Sequence, residues 1–181
     1  MNKARIILTK KCRRNCAYCC NNYTPHLAEA IELTSLEQLK SYDTIMLTGG
    51  EPMDFPNMTF EFARQLRQDG FHGKLFLYTA RYHARLRSML AICDGIQYTL
   101  HSNASCNDAS GFHLFQDLLV GVGRTKSCRL FVHEDVSQFV SIRPELWSSI
   151  KIGPWLNEDD CPLPSELGEQ LFFVDNPPGL T

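Results

Sequence analysis

The sequence predicts an α/β fold built on a parallel sheet, and three observations carry that expectation. Short apolar runs alternate with segments of helical period along the chain, as in repeated βα units. Six such units fit into the 181 residues, too few for a closed eight-stranded barrel. The two motifs richest in chemistry follow directly on apolar runs, and in such architectures chemistry gathers at the carboxyl ends of the strands.

The elements follow in order. Arg5–Thr9 reads as the first strand. Thr34 and Ser35 precede Glu37 and Gln38, two possible capping boxes for a helix through about Ser41. Thr44–Thr48 is the second strand. Asn57 can cap the next helix, in which Met58, Phe62 and Leu66 recur at four-residue steps and which Gly70 ends. Lys74–Thr79 is strand three, and Tyr82, Leu86 and Leu90 mark the helix after it. Gly95–Leu100 is strand four, followed by a helix with the stripe Phe112, Phe115, Leu118, Leu119 and Val122. Cys128–His133 is strand five; Val136, Phe139 and Val140 suggest a short fifth helix. Ser149–Ile152 is strand six, cut off by Gly153-Pro154. The remainder, 154–181, holds five of the nine prolines and reads as an irregular extension, with Leu171–Val174 able to add one edge strand.

Length and charge bound the function. A chain of 181 residues reads as one domain with a substantial core. The net charge of −2 gives no sign of nucleic-acid binding. Residues 1–15 are basic without a long apolar core, so no signal peptide is expected. No apolar run approaches the roughly 20 residues that span a bilayer. Free thiols and a cytoplasmic site are therefore expected for the eight cysteines. Charge is nonetheless uneven: Lys3, Arg5, Lys10, Lys11, Arg13 and Arg14 crowd the start, and no Lys or Arg follows Lys151. An acidic tail able to fold over the basic loop as a lid is one reading, and two solvated surfaces the other.

The first motif is Cys12-Arg13-Arg14-Asn15-Cys16-Ala17-Tyr18-Cys19, a C-x3-C-x2-C run after the first strand. A structural zinc site closes with four protein ligands, and an electron-transfer [4Fe–4S] cluster also uses four thiolates. Three thiolates on one loop can hold three irons of a cubane and leave the fourth open. Cys20 is the nearest fourth ligand, but adjacent residues of an extended chain point to opposite sides. The second motif, Thr48-Gly49-Gly50-Glu51-Pro52, ends the second strand. Its glycines allow close backbone approach and positive φ, and the Glu51 carboxylate can pair with an ammonium group.

Together the motifs resemble those of the radical S-adenosylmethionine (SAM) enzymes, in which an aromatic residue such as Tyr18 precedes the last cysteine. The resemblance implies an open partial (β/α)6 barrel over residues 1–153 with a C-terminal extension over 154–181. It implies a [4Fe–4S] cluster on Cys12, Cys16 and Cys19 whose open iron chelates SAM, with Gly49, Gly50 and Glu51 at the SAM amino group. A reduced cluster then cleaves SAM to methionine and a 5′-deoxyadenosyl radical, which abstracts a hydrogen atom from a substrate. An external one-electron donor of flavodoxin or ferredoxin type is a further implication.

At the other strand ends the resemblance makes His101 and Ser102 candidates for the SAM ribose and Ile152 for the adenine. His133, Glu134, Asn21, Asn22 and His26 are further polar candidates. Two substrate classes stay open. Cys19-Cys20-Asn21 fits the C-x-N seen in glycyl-radical enzyme activases, and Lys74–Thr79 looks loosely like the anaerobic ribonucleotide reductase activase, although Ala80-Arg81 replaces the expected Gly-Tyr. A shortened barrel and TGGEP are also similar to the 7-carboxy-7-deazaguanine synthases, which act on a nucleobase-like metabolite.

Overall fold

The fold is described from a computed structural model covering residues 2–14, 16, 19–154 and 162–174. Its elements, in chain order, are β1 (Lys3–Ile7), α1 (Thr24–Ala28), β2 (Ile31–Glu32), β3 (Thr44–Thr48), α2 (Pro56–Gln68), β4 (Lys74–Thr79) and α3 (Leu86–Ile92). There follow β5 (Gly95–Leu100), α4 (Cys106–Val122), β6 (Arg129–His133), α5 (Glu134–Ser137), β7 (Ser149–Gly153) and β8 (Glu169–Phe173). Among the described residues the strands form one open sheet in the order β2-β8-β1-β3-β4-β5-β6-β7. Every neighbouring pair is parallel.

The six strands expected from sequence are the run β1-β3-β4-β5-β6-β7, and β3, β4 and β5 have the expected bounds. Each step moves to the next position on the same side. Right-handed crossovers then place the intervening helices on one face. The core agrees: Phe62 and Leu66 of α2, Leu86 and Leu90 of α3, and Phe112 and Phe115 of α4 pack with Ala4, Ile6, Ile45, Leu47, Leu75, Leu77, Ile96, Leu130 and Val132. These strand residues alternate, so they share one face. The intervening residues Ile7, Met46, Phe76 and Leu171 are also buried but lie outside that cluster, on the second face.

Local chemistry explains the helix limits. Ser105 caps α4: its hydroxyl accepts from the Asp108 N–H at 3.3 Å, and Asp108 Oδ2 accepts from the Ser105 N–H at 2.8 Å. Pro56 opens α2 at a position where its missing N–H is not needed. The helix expected from Ser35 to Ser41 is instead one 3-10 turn, Leu36–Leu39. Its capping box is present, but the Asp43 N–H already donates to the Asn2 carbonyl at 2.9 Å, so the chain must enter β3 before a helix can extend. The short helix after β6 stops at Ser137; Phe139, placed in its stripe by sequence, is 77 % exposed. The five-residue α1 is too short to show a period, and the sequence did not predict it.

The largest departure is in the extension. A strand forms there, but β8 is not an edge: it lies between β1 and β2, with Leu171 opposite Arg5. Leu171, Phe172 and Val174 are buried, and burying each such side chain is worth about 1.5–3 kcal/mol. Glu29 fastens the approach to β8 by accepting from the Ser165 N–H and hydroxyl at 2.8 and 2.6 Å. The lid reading falls largely on residues 155–161 and 175–181, which lie outside the described residues. A chain ending at Leu156 loses β8 and is expected to lose its cooperative urea transition, whereas a chain ending at Val174 keeps it. A cooperative transition in the shorter chain would remove β8 from the folding core.

Candidate functional site

The carboxyl end of β1 runs into the segment that carries the three cysteines, and β3 beside it ends in Gly49-Gly50-Glu51. The parallel pairing continues beyond the strands: Leu8 N–H donates to the Thr48 carbonyl at 3.0 Å, Gly50 N–H to Thr9 at 2.6 Å, and Glu51 N–H to Lys11 at 3.2 Å. This continuation requires both glycines. Gly49 has φ +133°, and a Cβ on Gly50 would stand 2.1 Å from the Lys11 carbonyl oxygen. The two sequence motifs are thus one structural unit, the GGE turn packed on the backbone leading into the cysteine loop.

The loop is gripped from other elements as well. Asn21 donates its amide to the Gly49 carbonyl at 2.6 Å and closes the loop onto the turn. The Arg13 N–H donates to Asp54 at 3.2 Å, and Asp54 also pairs with Arg81 at 2.5 Å. The Arg14 guanidinium donates to the Ala80 carbonyl at 2.8 Å and forms an ion pair with Asp108 in the first turn of α4. Asn103 donates to the Arg14 carbonyl at 3.3 Å and accepts from the Cys16 thiol at 3.9 Å. Arg14 and Asn103 therefore fix the middle of the loop to the ends of β4 and β5.

Cys12, Cys16 and Cys19 carry free thiols; Cys12 is exposed and the other two are half-buried. Burial raises the Cys16 thiol above its ordinary range; Arg14 opposes this, and the Cys12 and Cys19 sulfurs add to it. Among the described residues, no three His, Cys, Asp or Glu side chains converge as around a single metal ion. A cubane spreads three thiolates over three irons, and free thiols on one loop, with a backbone N–H of Arg14 3.4 Å from the Cys12 sulfur, are a donor set that fits it. Cys20 departs from the expectation of free thiols: it is disulfide-bonded. It is thereby removed as a fourth ligand.

Glu51 is buried and already engaged. Its Oε1 accepts from the Met53 N–H at 2.8 Å and the Thr79 hydroxyl at 2.6 Å, and its Oε2 accepts from the Ala80 N–H at 2.8 Å. Burial pushes its carboxyl above the usual range, and the three donors oppose that shift. A carboxylate offers about four acceptor positions, so one remains beyond these donors. Glu51 ties the end of β3 to the end of β4.

The other candidates divide by face. His101 follows β5 and lies near Arg14, Asp108 and His133. Burial, with the Arg14 charge beside it, lowers its pKa to about 4, and Asp108 opposes the shift. Ser102 is exposed in the turn beyond it. Ile152 is not brought to the same place: it pairs in register with Val132, a core residue of the helix-covered face, and is 52 % exposed on the edge strand. Tyr18 lies outside the described residues. His26 is buried against the Pro162 carbonyl and so serves the extension. His133 Nδ1 accepts from the Asp135 N–H at 3.3 Å and caps α5. Sequence reasoning missed the roles of Arg14 and Asp108; the S-x-x-D spacing of Ser105 and Asp108 was the available signal that an acid starts a helix there.

The His101 environment predicts a pH dependence. A base whose folded pKa is depressed contributes stability above its unfolded pKa, and that stability is lost as pH falls through the folded value. Folding stability should therefore decline between pH 6.5 and about 4. His101→Gln should decline less over this window in urea titrations at pH 7 and 4.5; an equal decline in both proteins removes His101 as the source.

No family model matches the chain, and no curated protein matches it.

Proposed function

We propose that this chain is a radical SAM enzyme. The observation that carries the reading is the union of the two motifs: the GGE turn is packed, by backbone hydrogen bonds and two obligatory glycines, against the segment bearing three free cysteines. Cys12, Cys16 and Cys19 would hold a [4Fe–4S] cluster, and the Gly49–Glu51 backbone with His101 would line the SAM site. When bound and reduced, the cluster supplies one electron that splits the 5′ carbon–sulfur bond of SAM, leaving methionine and a 5′-deoxyadenosyl radical for hydrogen abstraction. Arg14, Asn103 and Asn21 fix the loop, while Glu51 sets the turn. The same-direction strand order supports the partial barrel of the resemblance, with the face opposite α2, α3 and α4 inside.

The cation-bearing loop Lys10, Lys11 and Arg13 is exposed, which suits an acidic one-electron donor of flavodoxin or ferredoxin type. Of the two substrate classes, a glycyl-radical enzyme rests on the Cys19-Cys20-Asn21 spacing. A small nucleobase-like molecule is favoured by the half-buried aromatic residues Tyr78 and Phe131 on the face opposite α2, α3 and α4. The experiment is direct: with dithionite and SAM, the anaerobically reconstituted chain should release 5′-deoxyadenosine and methionine in equal amounts. Absence of both products from iron-loaded protein overturns the reading.

A further inference from the structure

Lys10, Lys11, Arg13 and Arg14 all lie on or just before the cysteine loop, and burial separates one of them from the rest. Lys10, Lys11 and Arg13 are exposed, whereas Arg14 is half-buried, with its side chain 12 % accessible. Exposed charges act through water and are screened by salt. A charge withdrawn from water acts with several times the strength over the same distance. Arg14 is therefore the cation of this run that can act on its neighbours.

Contacts from three elements hold it in place. The Arg14 backbone N–H lies 3.4 Å from the Cys12 sulfur. Its carbonyl accepts from the Asn103 amide at 3.3 Å, and the Asn103 carbonyl oxygen accepts from the Cys16 thiol at 3.9 Å. The backbone of Arg14 is thus linked to two of the three cysteines. Its guanidinium is fixed from the other side, by the Ala80 carbonyl at 2.8 Å and by Asp108.

Asp108 offsets the charge only in part. Its Oδ1 faces Arg14, but its Oδ2 accepts from the Ser105 N–H and hydroxyl, both at 2.8 Å. It also lies in the first turn of α4, where the helix dipole draws on a negative charge. The positive member of the pair is carried by the cysteine loop and the negative member by α4. His101 adds no charge near neutral pH, since burial and then the Arg14 charge lower its pKa to about 4.

We propose that Arg14 is a positioning residue that also sets the reduction potential of the cluster, by holding a fixed positive charge on the loop that ligates it. This rests on the radical SAM reading above. Accepting one electron from an external donor adds one negative charge at the cysteines. Net charge, hydrogen bonds to sulfur and solvent exposure set the potential of such a cluster, so a held cation favours the reduced form. Asp108 works against it, and the two residues have opposite effects although both clamp the same loop.

The test is a mediated redox titration of the full reconstituted chain at pH 8, with dithionite as reductant and the spin-half signal of the reduced cluster as readout. Arg14→Gln should lower the midpoint by at least 59 mV, a tenfold fall in the reduction constant. Asp108→Asn should raise it by about 28 mV, a threefold gain. Arg14→Lys keeps the charge but loses the fork geometry, and should stay within threefold of the parent. Should Arg14→Gln not fold or not take up iron, the rise in Asp108→Asn and the near-parent value of Arg14→Lys decide. A residue that only clamps the loop moves the potential the same way in the Arg14→Gln and Asp108→Asn variants, through greater exposure to water. Shifts of the same sign, no shift in either, or an Arg14→Lys value as low as that of Arg14→Gln overturns the proposal. Unshifted potentials in chains that bind the cluster and cleave SAM remove only this proposal; a parent chain that takes up no cluster removes the radical SAM reading and this proposal with it.

Discussion

Replacing Cys16 and Cys19 together by alanine is expected to abolish iron and sulfide incorporation, from about four of each per chain to none, together with the brown chromophore. The same variant should keep its urea transition within about 1 kcal/mol of the parent, because neither side chain belongs to the packed core. That pairing of outcomes separates a ligand from a structural cysteine. Cys93 provides the contrast: it is fully buried at the C-terminal end of α3, with its thiol pushed up to about 12 by that burial. Cys93→Ser should cost stability while leaving the iron content unchanged. A full cluster in the double variant would show that the ligands are elsewhere.

Glu51→Ala is expected to be the most destabilising single change at the site. It strands the buried N–H groups of Met53 and Ala80, whereas the Thr79 hydroxyl can still reach the Arg81 carbonyl at 3.1 Å. Each stranded buried donor costs about 1–3 kcal/mol, so the urea transition should show a loss of about 2–6 kcal/mol. Glu51→Gln keeps the shape and one carbonyl oxygen for Met53 and Thr79, and should lose about 1–3 kcal/mol through the Ala80 N–H alone. The order Ala worse than Gln is the signature of a clamp. If Glu51→Ala instead loses SAM affinity with no loss of stability, the carboxylate serves SAM and the clamp is incidental.

These two residues show how far the sequence could be read. The cysteine spacing and the paired glycines are local patterns, and both lie where the sequence placed them, at the ends of neighbouring strands. The reason for the glycines was not local: Gly50 is required by the Lys11 carbonyl, which the pairing of β1 with β3 brings to it. Glu51 was expected to face a ligand because a carboxylate at a strand end is usually accessible, but its partners Thr79 and Ala80 come from β4, a strand whose approach leaves no local trace. Arg14 read as one of a run of surface cations. Its partners Ala80 and Asp108 are 66 and 94 residues away, beyond any periodicity argument. The strand at Leu171 was legible as an apolar run, yet whether it sits at an edge or inside depends on β2, two residues long and exposed. Ile152 stands apart from the other candidates, and alternation in the sequence already carries that signal, since it shares a face with Ile150 and not with Lys151.

The measurement that tests the central claim most directly is the electron paramagnetic resonance spectrum of the reduced, iron-loaded chain with and without SAM. The account predicts a spin-half [4Fe–4S]1+ signal that shifts on adding SAM, with hyperfine coupling to the labelled amino nitrogen of 15N-SAM, because three cysteines leave one iron open. A cluster signal that SAM leaves unchanged, with no coupling to the labelled nitrogen, would contradict it.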